Sequence, residues 1–197
     1  MEKTSEYYPV MKLPDTYKVF DFTEGFPEKE ISEFIKQGGW GVGKYYEKRK
    51  GMYLAPQYEN RRNIHMGVDI WAPVGEPVFA PLSGFLKYFA NHAEEGNYGG
   101  TIILEHTFEG KPIFTLYGHL SPDGLVNLKK GQSIEAGEII GHLGDKSENG
   151  NWPPHLHFQL SVKDPGEADM PGVVSEEEKM EALELYPDPQ IILGKLY

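Results

Sequence analysis

Pro153-Pro154-His155-Leu156-His157-Phe158-Gln159-Leu160 is the stretch on which the fold is decided. After the two prolines it reads as a strand, and side chains on a strand alternate faces. His155 and His157 therefore project into the same space. Two imidazoles on one strand face make a poor core. They suit a metal, or a base placed beside one, if the chain supplies partners elsewhere.

Outward from that strand, short apolar runs broken by Gly, Pro and Asn fill the middle of the chain. They include Val68-Asp69-Ile70-Trp71, Pro77-Val78-Phe79-Ala80, Gly84 to Phe89, Thr101 to Glu105, Ile113 to Tyr117 and Glu138 to Gly141. Many short strands with turn chemistry and no intervening helix predict a mainly β fold with an antiparallel sheet core over residues 61–163. Residues 1–60 read as an N-terminal extension packing on that domain. Within it, Tyr17 to Phe22 is a candidate short strand. A helix is expected from Pro27, with Ile31, Phe34 and Ile35 at helical spacing, stopped by Gly38-Gly39. The basic and aromatic run Lys44 to Lys50 reads as a solvated loop, with a substrate-site wall as the functional alternative. Residues 164–197 form a C-terminal extension. Ser175-Glu176-Glu177-Glu178 there is a capping box before a short helix to about Leu185, and Ile191-Ile192-Leu193 is expected to pack on the domain.

The 197 residues carry a formal net charge of −11. That balance argues against nucleic acid and anionic membranes as partners. There is no cysteine, hence no disulfide and no thiolate ligand. No apolar run approaches a membrane span, and the first residues, with early acids and no apolar core, do not read as a secretory leader. A cytoplasmic location is the expectation, with the cell envelope as the alternative if export takes another route. Nothing points to an obligate protein partner.

Seven histidines are present. His92 and His142 read as ordinary surface or loop residues. His106, at a strand end, is not counted as a ligand. The other four have company. His65-Met66-Gly67-Val68-Asp69 puts an imidazole four residues before a carboxylate. On a flat strand the two would lie about 13 Å apart, too far for one ion. Gly67 permits a bend that brings them together and leaves room where a side chain would intrude. Tyr117-Gly118-His119-Leu120-Ser121 places a further imidazole at a strand end.

In this order, HxGxD at residues 65–69, YGHLS at 117–121 and HLHF at 155–158 resemble the lysostaphin-type (LytM-type) zinc metallopeptidases, a family of peptidoglycan endopeptidases. Ala72 to Gly84, Ile103 to His106 and Lys130 to Gly141 resemble the family's connecting segments, so the likeness spans about residues 61–163. The resemblance implies a lysostaphin-like β fold of the duplicated hybrid motif type with short N- and C-terminal helical extensions. It implies one zinc ion held by His65, Asp69 and His157. It gives His119 and His155 as catalytic histidines off the metal, His155 favoured for proton handling and His119 as its partner, with the roles exchangeable.

The implied activity is hydrolysis of peptide bonds, of peptidoglycan-type peptides, by zinc-activated water. Two alternatives stand beside it: a cytoplasmic zinc hydrolase of a small amide or modified amino acid, and a non-catalytic binding module on the same fold. Two departures from the family pattern, the Trp152-Pro153-Pro154 lead-in and Gln159 in place of a Glu, are read as shaping the substrate groove rather than the metal set. The Trp-Pro-Pro segment and the Tyr186 to Gly194 tail resemble a variant of the domain fused to class III aminotransferases. A groove walled by Tyr45, Tyr46 and Trp152 would suit an extended peptide, and a closed pocket a small molecule.

Overall fold

The computed structural model describes residues 7–197; the leader-free reading of the first residues and the start of the N-terminal extension lie outside the described residues. In chain order the elements are β1 (Lys18–Val19), α1 (Glu28–Lys36), β2 (Gly41–Gly43), β3 (Ile64–His65), β4 (Val68–Trp71), β5 (Pro77–Phe79), β6 (Gly84–His92), β7 (Gly99–Phe108), β8 (Lys111–Leu120), β9 (Ser133–Ile134), β10 (Ile139–His142), β11 (His155–Ser161), β12 (Val173–Val174), α2 (Lys179–Leu185) and α3 (Gln190–Leu193). The fold is mainly β. An eight-stranded sheet runs β1-β2-β4-β11-β8-β7-β6-β9, flanked by the pairs β5–β10 and β3–β12. Every pairing in it is antiparallel except β1 with β2.

The apolar runs become strands because they are rich in β-branched and aromatic residues and bounded by turn formers. Their inward side chains build one main core, including Val68, Ile70, Leu86, Ile102, Leu104, Tyr117, Phe158 and Leu160. Ile192 of α3 joins it from the C-terminal end. The long central strands are apolar on both faces near the middle of the sheet. One face looks into this core; on the other, Ile103, Phe114 and Leu116 cluster with Met170, and Tyr88, Tyr98 and Tyr186 pack against them.

A second cluster gathers Phe22, Ile31, Ile35, Met52 and Trp71, with Phe20, Phe26, Phe34, Tyr53 and Trp152 packed against it. It explains α1: Ile31 and Ile35 face inward, while acids in its first turn and Lys36 in its last suit the helix dipole. Its apolar face is held by the aromatic strap of residues 20–26. The capping box forms as expected. Ser175 N–H donates to Glu178 (2.8 Å), and Glu178 N–H donates to Ser175 Oγ (3.3 Å).

Register positions the site. Asp69 of β4 faces His157 of β11, which faces Gly118 of β8. The three central strands thus line up one carboxylate, one imidazole and the residue before another imidazole.

Candidate metal centre

His65 and Asp69 come together because the chain breaks between β3 and β4 at Met66-Gly67, leaving His65 Nε2 3.1 Å from Asp69 Oδ1. The close approach needs glycine. A Cβ at Gly67 would stand 2.6 Å from His157 Cε1 and 2.8 Å from the Phe158 carbonyl. The space is therefore kept for the ring of His157. His157 arrives by strand alternation, opposite Asp69, with Nδ1 3.1 Å from Asp69 Oδ1 and 3.0 Å from His65 Nε2. Three atoms from separate segments thus form a nearly equilateral triangle, buried beneath the surface.

The outer atom of each side chain is occupied. His65 Nδ1 lies 2.9 Å from the Lys44 carbonyl, which only accepts, so Nδ1 carries the proton and Nε2 is bare. Gln159 Nε2 donates to the Pro171 carbonyl (3.3 Å), which turns Gln159 Oε1 toward His157 Nε2 at 2.9 Å. His157 therefore donates through Nε2 and leaves Nδ1 bare. Asp69 Oδ2 accepts from Arg49 Nη1 at 2.6 Å, leaving Oδ1. Burial lowers the pKa of His65 to about 3, so its imidazole is neutral at pH 7. Burial alone would raise the carboxyl of Asp69, but the adjoining His65 and Arg49 outweigh it and hold it well below the usual carboxylate range.

Three lone pairs 3.0–3.1 Å apart repel unless a cation or a proton lies among them. Bonds of about 2.0–2.2 Å to a tetrahedral ion imply donor separations of roughly 3.3 Å or slightly more. The triangle is close to that, and two imidazoles with one carboxylate form a set that leaves a coordination position open. His65, Asp69 and His157 therefore fit a metal ion; among the described residues this is the one group of three or more such donors close enough to share one.

Two further imidazoles stand beside the triangle. His155 shares the site face of β11 with His157. Its Nδ1 lies 2.8 Å from the Pro153 carbonyl, leaving Nε2 bare and 3.9 Å from Asp69 Oδ1. Trp71 stacks on its ring at 4.0 Å between centroids. His119 would point to the opposite face from Gly118 on a flat strand. Its left-handed backbone, φ 65°, turns it back toward the site, where Nδ1 meets the Asn149 carbonyl at 2.9 Å. The rings of His119 and His155 lie 4.1 Å apart. Burial lowers the pKa of His155 to about 4, and burial with the neighbouring His155 holds His119 well below the imidazole range. Each offers one bare nitrogen at neutral pH.

The structure thus brings His65, Asp69, His119, His155 and His157 together, all lining one cavity of about 540 Å³ with Tyr53, Tyr58, Tyr98, Trp152 and Asp169. The other histidines stay apart: His106 is buried between Ser83 and Thr115, His92 meets the Ala168 carbonyl, and His142 is exposed.

Three sequence readings change. Tyr45 and Tyr46 do not line the cavity; Tyr45 Oη instead donates to the Tyr186 carbonyl. The Lys44 to Lys50 run is not merely a solvated loop, because Arg49 is buried and bonds Asp69, Glu47 (3.1 Å) and Tyr53 (2.9 Å). Gln159 does not shape the groove; it is fully buried against His157. Arg49 carries no local signal, since its partner lies twenty positions away. Gln159 did carry one: it follows His155 and His157 at the same period of two.

Residues 63–169, more than half of the chain, match Peptidase family M23. Lysostaphin of Staphylococcus staphylolyticus is 37% identical over 99 residues, 50% of this chain and 19% of its own length. The DD-carboxypeptidase/endopeptidase Mpg of Neisseria meningitidis is 29% identical over 99 residues, covering 50% of this chain and 20% of its own. An L-Ala--D-Glu endopeptidase of Bacillus subtilis is 26% identical over 166 residues, 81% of this chain and 44% of its own. The chain spans less than half the length of each of these relatives.

Proposed function

The chain belongs to peptidase family M23, and we propose that it is a zinc-dependent endopeptidase acting on peptidoglycan-type peptides. The observation that carries the reading is the triangle of bare donors, His65 Nε2, Asp69 Oδ1 and His157 Nδ1, at mutual separations of 3.0–3.1 Å. These three would hold one zinc ion. When bound, the ion supplies a Lewis acid for the scissile carbonyl and a water whose pKa is brought toward about 7. The substrate class is supported by relatives whose names include an L-Ala--D-Glu endopeptidase and lysostaphin.

The chain's own residues do the rest. His155 Nε2, bare and next to the triangle, is placed to accept a proton and return it to the leaving amine. The stacked ring of Trp71 and the Pro153 carbonyl hold His155 in one orientation. His119 Nε2, bare at neutral pH, is placed to accept a hydrogen bond on the substrate side, anchored from behind by the Asn149 carbonyl. Tyr53, Tyr58, Tyr98 and Trp152 would flank a peptide and exclude water around the reacting bond.

The dimensions of the cavity favour a second reading. About 540 Å³ is the size that takes a small ligand or a few residues, so a small amide is the alternative substrate. A peptidoglycan substrate would place the protein in the cell envelope, whereas a small amide is compatible with the cytoplasm. No helix of the described residues is long and apolar enough to cross a membrane.

The test loads the purified chain with one equivalent of zinc and incubates it with stem peptides, cross-bridge peptides and small N-acyl amino acids, read by mass spectrometry. New amine and carboxyl termini at one peptide bond are expected. Turnover of the small amides alone would replace the peptide substrate, and zinc binding with no turnover of any member would leave a binding module.

A further inference from the structure

On the site face of β11 three polar side chains stand in line at a period of two: His155, His157 and Gln159. The last stands behind His157 and takes no part in the hydrolysis proposed above. It is fully buried, and a primary amide buried beside an imidazole is costly unless both its ends are satisfied. Both are. Gln159 Nε2 donates to the Pro171 carbonyl (3.3 Å), and Gln159 Oε1 accepts from His157 Nε2 (2.9 Å). The amide cannot turn over without setting its NH2 against His157 and its oxygen against the Pro171 carbonyl.

We infer that Gln159 is a positioning residue that fixes His157 in the tautomer protonated at Nε2, so that Nδ1 is the atom turned to the metal. This rests on the reading of His65, Asp69 and His157 as metal ligands. Three features of the surroundings support it. Among the described residues, no other acceptor is recorded for His157 Nε2. The ring cannot shift toward Gly67, whose backbone lies so close that a Cβ there would be 2.8 Å from His157 Nε2. On its other side the Tyr98 ring packs at 5.3 Å between centroids. Gln159 also does this without adding charge. The site already sets two buried carboxylates, Asp69 and Glu47, against Arg49. A neutral acceptor sets the tautomer and adds no further buried anion.

The inference separates the acceptor oxygen from the bulk of the side chain. Gln159→Leu keeps the volume and removes the acceptor, whereas Gln159→Glu keeps an oxygen at the same reach. Zinc affinity is measured on the full chain by competition with a chelating dye, at a temperature where each metal-free variant is folded by circular dichroism. The tautomer of His157 is read in the metal-free protein from long-range nitrogen–proton NMR correlations of the ring.

The wild type is expected to show His157 protonated at Nε2. Gln159→Leu is expected to bind zinc roughly 10–100-fold more weakly, with a mixed tautomer signature, and Gln159→Glu to recover binding to the wild-type level or better. Wild-type affinity and an unchanged tautomer in Gln159→Leu would overturn the inference while leaving the metal reading intact. Failure of the wild type itself to take up zinc would overturn the metal reading and this inference with it.

Discussion

The central strands β4, β8 and β11 and the N-terminal segment of residues 41–53 both meet the same cluster. These strands carry all the candidate side chains apart from His65, which ends β3 three residues before β4 begins. Residues 41–53 supply none of them, yet they hold two of the three outer atoms: the Lys44 carbonyl on His65 and the Arg49 guanidinium on Asp69. Gly43 explains how the segment comes so near. A Cβ there would stand 2.8 Å from Arg49 Nη2 and 3.3 Å from Asp69 Oδ2. The first region is a repeating surface on which alternation places chemistry. The second, the short strand β2 running into an irregular strap, arranges what the first presents, and it lies before residue 63, where the family match begins.

Substitutions that strike the two regions separately probe this division. Asp69→Ala removes a donor and should abolish stoichiometric zinc uptake, read by metal analysis, together with all measurable hydrolysis. His155→Ala and His119→Ala should keep zinc but lower kcat by about 10²–10⁴-fold. Equal zinc loss in these variants would show that the strands do not separate metal holding from proton handling. Arg49→Met, in the strap, breaks a fully buried ion pair, leaving Asp69 without its cation and Glu47 with Lys44 alone. Urea unfolding should show a loss of about 3–5 kcal/mol. Gly43→Ala should cost about 1–3 kcal/mol by overpacking against Arg49 and Trp71, and it should perturb Asp69 while every candidate residue is kept in the sequence. A neutral result there would mean that the strap is passive.

A further test is with pH. His155, with a folded pKa of about 4 against about 6.5 unfolded, binds its proton more readily in the unfolded chain. His65 is shifted in the same direction. The stability of the metal-free protein should therefore be fully present above about pH 6.5 and decline as pH falls toward 4, read from midpoints of urea unfolding.

What the sequence disclosed follows the same division. Strands longer than about four residues were readable from their apolar runs and bounding glycines. The bend at Gly67 and the shared face of His155 and His157 follow from elementary strand geometry. The short strands β2, β9 and β12 were not readable, because so short a piece has no period; β1 and β5 were legible only through the longer runs around them. Arg49 looked like one cation in a solvated run. Its burial comes from contacts with Phe22, Tyr53 and Asp69, set by tertiary packing rather than local pattern. His119 was legible as a residue at a strand end. The backbone turn that aims it at the site is not, because a left-handed histidine leaves no mark in the spacing.

The Lys44 carbonyl has one more consequence. Two corners of the cluster are braced by side chains, which a single codon change can exchange. The third, at His65, is braced by main chain, and peptide carbonyls are the same for every amino acid. Lys44 can therefore drift freely in identity without disturbing His65. An inserted or deleted residue between Gly43 and Tyr46 would shift the carbonyl out of reach. At that corner the constraint on the chain is one of length, and divergence there should appear as substitutions without gaps.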